Sequence, residues 1–199
     1  MFCTNALGFC IEPCFILKNS TQVSSFLDHC KLAGFHSPLV IGSEKAYMTY
    51  SCFDHWTKYF IQNGKFHNES YSVIIYDGHI THTMHLEALR YLNWNKIFAV
   101  CILANSSHLF NVGDVSIFSK LKSGLKRNQT EYMRELNRDL TLKDFPYIFK
   151  RTWDSVVSQN SIISSKIYFE ALLIRKLLEV LEYILSTKDG LLNQKIWAN

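Results

Sequence analysis

Two short and continuous apolar runs, "YSVIIY" at 71–76 and "KIFAVCIL" at 96–103, constrain the fold of this 199-residue chain most strongly. Strands that are buried on both faces, as in parallel sheets, have this unbroken apolar pattern. Between the two runs, "HLEALRYLNW" at 85–94 has the spacing of a brief amphipathic helix. Strand, helix and strand with short connections predict a parallel βαβ unit with a right-handed crossover.

The flanking segments extend this unit into a larger α/β fold. Residues 1–17 predict a hairpin with Gly8 at its turn, whereas 18–38 predict mainly loop, with one helical turn in "SSFLDHCKL". "MTYSCFDHWTKYFIQNG" predicts a helix that Thr49 or Ser51 caps and Gly64 ends. The C-terminal third is predicted to be helical, with helices within 115–140, 142–157 and 161–185.

Composition excludes several classes of protein. Hydrophobic residues make up 48% of the chain and the net charge is only +4, which argues against disorder. None of the six cysteines forms a C-x-x-C pair, and no signal peptide opens the sequence, so we expect reduced core cysteines in an intracellular protein. No stretch approaches the ~18 apolar residues of a membrane span.

An aspartate follows each apolar run. Asp77 comes directly after the first run, and Asp114 follows the second after a polar loop that contains His108. Ligands of βαβ proteins collect at the carboxyl ends of parallel strands, and two carboxylates there suit Mg²⁺ shared with phosphate oxygens. Spacing alone favours the structural alternative, in which Asp77 forms a turn and Asp114 caps a helix.

Three histidines follow the first aspartate. His79, His82 and His85 advance by three residues, so two of them share a helix face. A zinc site needs further ligands that the sequence does not supply at a suitable spacing. We therefore expect turn and site-shaping roles for these histidines.

Basic residues follow the second aspartate. They lie on the helix after Asp114 and form a basic face, which is either merely solvated or in contact with the phosphates of a DNA or RNA backbone. The four residues are Lys120, Lys122, Lys126 and Arg127.

At these residues the sequence resembles a known family. "IIYDGHITH" at 74–82 and "ILANSSHLFNVGDVSIFSKLK" at 102–122 resemble the DDE superfamily endonuclease domain of pogo-like (jerky/Tigger) transposases. Further similarity, upstream at 4–18 and 47–61 and downstream at 149–165, extends the resemblance over residues 1–165. Residues 166–199 have no counterpart and form a helical extension of uncertain status.

The resemblance implies an RNase H-like fold and two-metal phosphoryl transfer on DNA, with three acidic residues holding two Mg²⁺ or Mn²⁺ ions. By position, Asp77 is the second catalytic and metal-binding acid and Asp114 the third. His79, His82 and His108 shape the site. A DNA substrate also implies localisation in the nucleus.

The sequence departs from the family in ways that affect activity. No segment matches the family's first, central strand and its Asp, and Asp28 and Asp54 do not fall where a metal ligand is needed. "NVGD" replaces the usual Q-P-L-D. We therefore expect an RNase H-like mixed sheet that lacks its central strand, marginal stability, and a catalytic set that is incomplete unless an upstream segment supplies the first Asp.

An alternative function remains open. The chain is then a domesticated, non-catalytic module that binds DNA or a protein. In that case the apolar C-terminal helix serves as a surface for a protein partner or for self-association.

Overall fold

A computed structural model of the chain describes residues 1, 3–5, 9–64, 66, 71–102 and 117–157. Within them the strands are β1 (Cys3–Thr4), β2 (Cys10–Ile11), β3 (Cys14–Lys18), β4 (Leu39–Ser43), β5 (Ser72–Tyr76) and β6 (Ile97–Cys101). The helices are α1 (Val23–Leu32), α2 (Tyr50–Asn63), α3 (Ile80–Thr83), α4 (Leu86–Trp94), α5 (Phe118–Leu136) and α6 (Phe145–Val156).

The N-terminal hairpin is confirmed as the antiparallel pair β1–β2, in which Cys3 lies opposite Ile11. The second strand of the predicted hairpin is split into β2 and β3 around Pro13. Proline lacks the N–H that a strand needs for its ladder, so the change of partner falls where that bond is missing.

The predicted βαβ unit is also confirmed, because β5 and β6 pair in parallel with α4 between them along the chain. A second parallel pair joins β3 to β4, with Cys14 beside Leu39. No ladder joins the two parallel pairs within the described residues, which contain three two-stranded sheets. The fold is therefore mixed α/β, and the single RNase H-like sheet stays a prediction.

Helix α2 holds the two parallel pairs together through one core. Its N-terminus is capped as predicted, since the Thr49 hydroxyl accepts the Cys52 N–H at 3.2 Å, and Gly64 follows its last residue. Phe53, fully buried, belongs to a cluster that includes inner-face residues of both pairs, among them Cys14 and Ile74. Burial of this apolar surface is the main stabilising term for the arrangement.

A second core covers the outer face of β3–β4. Phe15 on β3 contacts Phe26 of α1 and Phe149 of α6 edge to face, with ring centroids 5.4 and 5.2 Å apart. Helix α1 corrects the expectation of loop at 18–38. It buries Phe26 and Cys30, one turn apart, so tertiary packing stabilises a segment with little helical periodicity of its own.

The outer face of β5–β6 differs from the sequence expectation. An unbroken apolar run predicts burial on both faces, yet alternate residues of both strands are between 46% and 61% exposed. We call this set the outer β5–β6 face: Val73, Ile75, Phe98 and Val100. In the described residues the pair is thus covered on one side, by α2 and α4.

All six cysteines are free, as expected. Cys14, Cys30 and Cys52 are buried, whereas Cys101 is exposed and corrects the expectation of a core position. Burial raises the pKa of the Cys30 thiol to about 12. No described helix combines the length and apolarity needed to cross a bilayer. The helix predicted at 161–185 lies outside the described residues.

Candidate metal centre at the end of strand β5

Asp77 lies where the sequence predicts it, directly after the last residue of β5. Tyr76 pairs with Cys101 of β6, and the Ile102 N–H continues the contact by donating to the Tyr76 carbonyl at 2.8 Å. A Cβ added at Gly78 would lie 3.6 Å from the Cys101 sulfur, so the turn after Asp77 packs on the end of β6. The carboxylate therefore occupies the carboxyl edge of a parallel pair, where ligands of such sheets bind.

Among the described residues, the Asp77 carboxylate has two hydrogen-bond contacts, and both involve the same oxygen. Oδ1 accepts the His79 backbone N–H at 3.2 Å and lies 3.0 Å from His82 Nδ1. A bond to the N–H two residues on is the usual turn-forming use of aspartate, so the structural interpretation of Asp77 holds in part. The Asp77 side chain is nevertheless 46% exposed and accessible to a ligand.

His82 is buried beside this carboxylate in the short helix α3. Its ring contacts the Phe53 ring, with centroids 4.7 Å apart. Burial lowers the pKa of the His82 imidazole below its ordinary value, and the neighbouring Asp77 opposes this shift only in part. Burial therefore favours the neutral form of the His82 imidazole.

The other two histidines have different partners. His79 precedes α3, and its Nδ1 lies 2.7 Å from the Thr81 hydroxyl. The His85 ring packs edge to face on Tyr50 of α2, with centroids 5.5 Å apart. The centroids of the His79 and His82 rings are 5.4 Å apart, but His79 Nδ1 faces Thr81 and His82 Nδ1 faces Asp77. This geometry does not fit shared zinc coordination. In the part of the chain that the structure describes, no three potential metal ligands gather at one point.

Asp77 fits the requirements of a single oxygen ligand for Mg²⁺ or Mn²⁺. These ions take one or two carboxylates and complete their shell with water and phosphate oxygens. Asp114 and His108 lie outside the described residues. The described residues end at Ile102, whose N–H donates to the Tyr76 carbonyl, and resume at Ile117.

The alternative acids lie elsewhere. Asp54 on α2 is paired with Lys58, whose Nζ is 2.8 Å from Oδ2. Asp28 is exposed on α1. Neither belongs to a group of ligands with Asp77 in the described residues.

The four basic residues are all exposed on α5. Lys120 and Arg127 are seven positions apart, about two helical turns, and lie on one flank of the helix. Lys122 and Lys126 lie on another flank. They therefore form two basic edges instead of one narrow face. No acidic residue interrupts the helix before Glu131.

The fold and the site define an α/β protein with an acidic residue at the carboxyl edge of a parallel strand pair. The family model of the DDE superfamily endonuclease matches residues 1–165, and the chain belongs to this family. Neither the curated proteins nor the solved structures contain a match to the chain.

Proposed function

We propose that the chain is a transposase-derived endonuclease domain of the pogo-like (jerky/Tigger) type, which binds DNA and holds a divalent cation with Asp77 and Asp114. One observation carries the proposal: Asp77 stands at the carboxyl edge of β5–β6 with one carboxylate oxygen held by the protein and the side chain exposed. Membership of the DDE superfamily endonuclease family supports the same assignment.

Bound Mg²⁺ or Mn²⁺ would neutralise phosphate charge and activate an attacking oxygen. The residues of the chain supply the conditions for that chemistry. Asp77 presents a carboxylate at the strand edge, and the neutral His82 fills the core beneath it without adding a positive charge that would repel a cation. Asp114 is assigned as the other metal-binding carboxylate by its position in the sequence.

Exposed basic residues on α5 would contact the DNA backbone. Lys120 follows Asp114 by six positions, so phosphates bound along the start of α5 would lie near the metal-binding carboxylates. Contacts of this kind bind DNA without reading its sequence. A DNA substrate also supports localisation in the nucleus.

We expect no autonomous DNA cleavage by these 199 residues tested alone. The family's chemistry uses three acidic residues, and this sequence supplies two of them. Asp28 and Asp54, the other acids considered, do not gather with Asp77 in the described residues. Nicking of supercoiled plasmid in Mn²⁺ that depends on Asp114 would overturn this expectation.

The DNA contact is tested by the salt dependence of binding. The chain is titrated onto a labelled duplex by fluorescence anisotropy at several KCl concentrations. Glutamine at Lys120, Lys122, Lys126 and Arg127 should reduce the slope of log affinity against log salt by roughly 0.9 for each phosphate that is no longer neutralised. A matched control replaces four exposed basic residues elsewhere, namely Lys18, Lys31, Lys45 and Arg90. Equal reductions of the slope in both variants would contradict the assignment.

The non-catalytic module remains the second candidate, and the outer β5–β6 face favours it. Four apolar side chains exposed on one sheet face are typical of a surface that meets another protein or another part of the chain. DNA retention that is salt-dependent but unchanged by Asp77→Ala and Asp114→Ala would favour this function over metal-dependent chemistry.

A further inference from the structure

The two oxygens of the Asp77 carboxylate are held differently. Oδ1 lies within hydrogen-bond distance of the His79 backbone nitrogen and of His82 Nδ1, at 3.2 and 3.0 Å. No donor among the described residues forms a hydrogen bond with Oδ2. The Asp77 side chain is 46% exposed, whereas the His82 side chain is 10% exposed. One oxygen is therefore fixed against the protein, and the other is left for a ligand.

The environment of His82 determines which ring nitrogen carries the proton. Nε2 is buried, and no described residue forms a hydrogen bond with it. A proton on Nε2 would bury an unsatisfied N–H donor and would leave two lone pairs facing each other between Nδ1 and Asp77. A proton on Nδ1 instead makes a charge-assisted bond to the carboxylate. The neutral Nδ1–H tautomer is the one that this geometry accommodates.

The position of the His82 ring is set by the hydrophobic core. Phe53 of α2, fully buried, packs against the ring, and the Tyr76 hydroxyl donates to the His82 carbonyl at 3.3 Å. The His82 N–H donates in turn to the His79 carbonyl at 2.9 Å. His82 is thus held through both its backbone and its ring. The hydrogen bond from the ring to Asp77 restrains the carboxylate as well.

We propose that His82 is the positioning residue of Asp77: its imidazole, which donates from Nδ1, fixes Oδ1 and thereby aims Oδ2 at a divalent cation. The statement that Oδ2 faces a cation rests on the proposed function. The tautomer of His82 and its hydrogen bond to Oδ1 do not. Partners that orient metal ligands in this way typically change metal affinity by about 10–100-fold. His79 acts differently, because its backbone N–H contacts Asp77 while its side chain contacts Thr81.

The tautomer is tested first, and the test needs no metal. Long-range ¹H–¹⁵N correlation spectra of the full chain with ¹⁵N-labelled histidine, at neutral pH, distinguish protonated from unprotonated ring nitrogens. The His82 signals, identified by their absence in His82→Asn, should show a protonated Nδ1 and a bare Nε2. His55, whose Nδ1 lies 2.7 Å from the Ser51 carbonyl oxygen, is distinguished from it by the same comparison. Replacing Asp77 by Ala should remove the preference for Nδ1. A His82 that carries its proton on Nε2 in the wild-type chain overturns the proposal.

Two amide variants separate positioning from packing. The asparagine amide nitrogen is two bonds from Cβ, like Nδ1 of histidine, whereas that of glutamine is three bonds away, like Nε2. His82→Asn therefore keeps a donor for Asp77, and His82→Gln does not. Both lose the aromatic ring. Mn²⁺ binding to the full chain, measured from the electron paramagnetic resonance of free Mn²⁺, should weaken about 10–100-fold in His82→Gln and stay near wild type in His82→Asn.

Each outcome of the Mn²⁺ titration bears on the proposal. Equal weakening in both amide variants means that the ring only packs, and unchanged affinity in both means that Asp77 needs no positioning; either result overturns the proposal. A wild-type chain that binds Mn²⁺ no better than Asp77→Ala overturns the proposed function and, with it, the aiming of Oδ2. The tautomer spectra still decide in that case whether His82 holds Asp77. His55→Gln, on the exposed side of α2, controls for the loss of a histidine.

Discussion

At the scale of single residues, the most extensively bonded carboxylate among the described residues is Asp144, which stands just before α6. Its carboxylate accepts hydrogen bonds from both guanidinium Nη groups of Arg138, at 2.9 and 2.8 Å. It also accepts hydrogen bonds from the Thr141 backbone N–H and hydroxyl. These bonds, with the one from Arg138 largest, hold the pKa of the Asp144 carboxyl well below its usual range. The cluster fixes the turn that joins α5 to α6.

The depressed pKa of Asp144 predicts a specific dependence of stability on pH. A carboxyl whose folded-state pKa is lowered stabilises the protein above its unfolded value, near ~3.9, and this contribution is lost as the pH falls further. Urea unfolding at several pH values should show that Asp144→Asn is less stable than wild type at pH 7 and that the difference shrinks below about pH 4. Asp154→Asn, which removes an exposed pair with Lys150, is the control. A difference that stays constant down to about pH 2 would contradict the assignment.

His82 and Asp77 show what residue-scale patterns leave out. The sequence places Asp77 at a strand end, and the structure confirms that position. The five-residue spacing to His82 carries no sign of a hydrogen bond, because the contact depends on the short helix α3 turning the ring back toward the strand. A histidine among polar neighbours is expected to be solvated, and its burial against Phe53 comes from tertiary packing alone.

At the scale of elements, strand β5 offers a matched comparison between its two faces. Ile74 is 5% exposed in the core on α2, while its neighbour Ile75 is 49% exposed on the outer β5–β6 face. Ile74→Ala should lower the free energy of unfolding by about 2–5 kcal/mol, since it removes buried methyl groups and leaves a cavity. Ile75→Ala should cost less than about 1 kcal/mol. Chemical denaturation measures both.

Similar destabilisation at the two positions would contradict the exposure of the outer β5–β6 face. Such a result would mean that another segment covers this face in solution. Burial on both faces is what the unbroken apolar runs predict, so the comparison decides between that prediction and the exposed face of the structure.

The contact between α5 and α6 depends on a glycine. A Cβ at Gly124 would lie 2.9 Å from Thr152 Cγ2, closer than side chains tolerate. The Thr152 side chain cannot shift freely, because its hydroxyl accepts a hydrogen bond from Asn128 Nδ2 and donates one to the Ile148 carbonyl, both at 2.8 Å. Gly124→Ala should therefore destabilise the chain through overpacking of about 1–3 kcal/mol, despite a gain of about 1 kcal/mol in helix propensity.

A second substitution tests that cause. Thr152→Ser deletes Cγ2 and keeps the hydroxyl. Added to Thr152→Ser, the alanine at Gly124 should stabilise instead of destabilise, because only the propensity gain remains. Thermal unfolding of the four proteins gives the comparison, and a stabilising Gly124→Ala in the wild-type background would exclude the proposed clash.

The elements that the sequence predicts well are those with a strong local signal. Helix α2 has a cap, a helical apolar stripe and a terminal glycine, and β5 and β6 lie within the two continuous apolar runs. The sequence predicts only one helical turn within α1, because Phe26 and Cys30 provide only two buried positions. It does not predict β4, which is half-buried throughout. Helix α1 is stabilised mainly by packing on β4 and α6, and β4 by its ladder with β3 and its contacts with α1 and α2. Sequence periodicity does not encode these contacts.

At the scale of the whole molecule, the described residues form two cores that share the strand pair β3–β4. One core joins it to β5–β6 through α2, and the other joins it to α1, α5 and α6. Asp77 follows Tyr76 at the edge of the first core, and the basic residues of α5 border the second. A function that combines metal binding at Asp77 with DNA binding along α5 therefore depends on both cores being folded.

This dependence has a consequence for stability. The two parallel pairs have no common ladder in the described residues, so α2 carries most of the connection between them. The expected marginal stability of the chain remains a prediction. A broad thermal transition of low enthalpy, measured by calorimetry, would support it, whereas a sharp cooperative transition would not.

The central claim is that Asp77 is a ligand for a divalent cation, and Mn²⁺ titration tests it most directly. Free Mn²⁺ is followed by electron paramagnetic resonance in wild type, Asp77→Asn, Asp114→Asn and the control Asp28→Asn, which alters an exposed carboxylate on α1. We expect both Asp77→Asn and Asp114→Asn to weaken Mn²⁺ binding by at least about tenfold, since even outer partners of a metal ligand contribute that much. Asp28→Asn should bind as wild type does. An Asp77→Asn chain that binds Mn²⁺ with wild-type affinity would contradict the account.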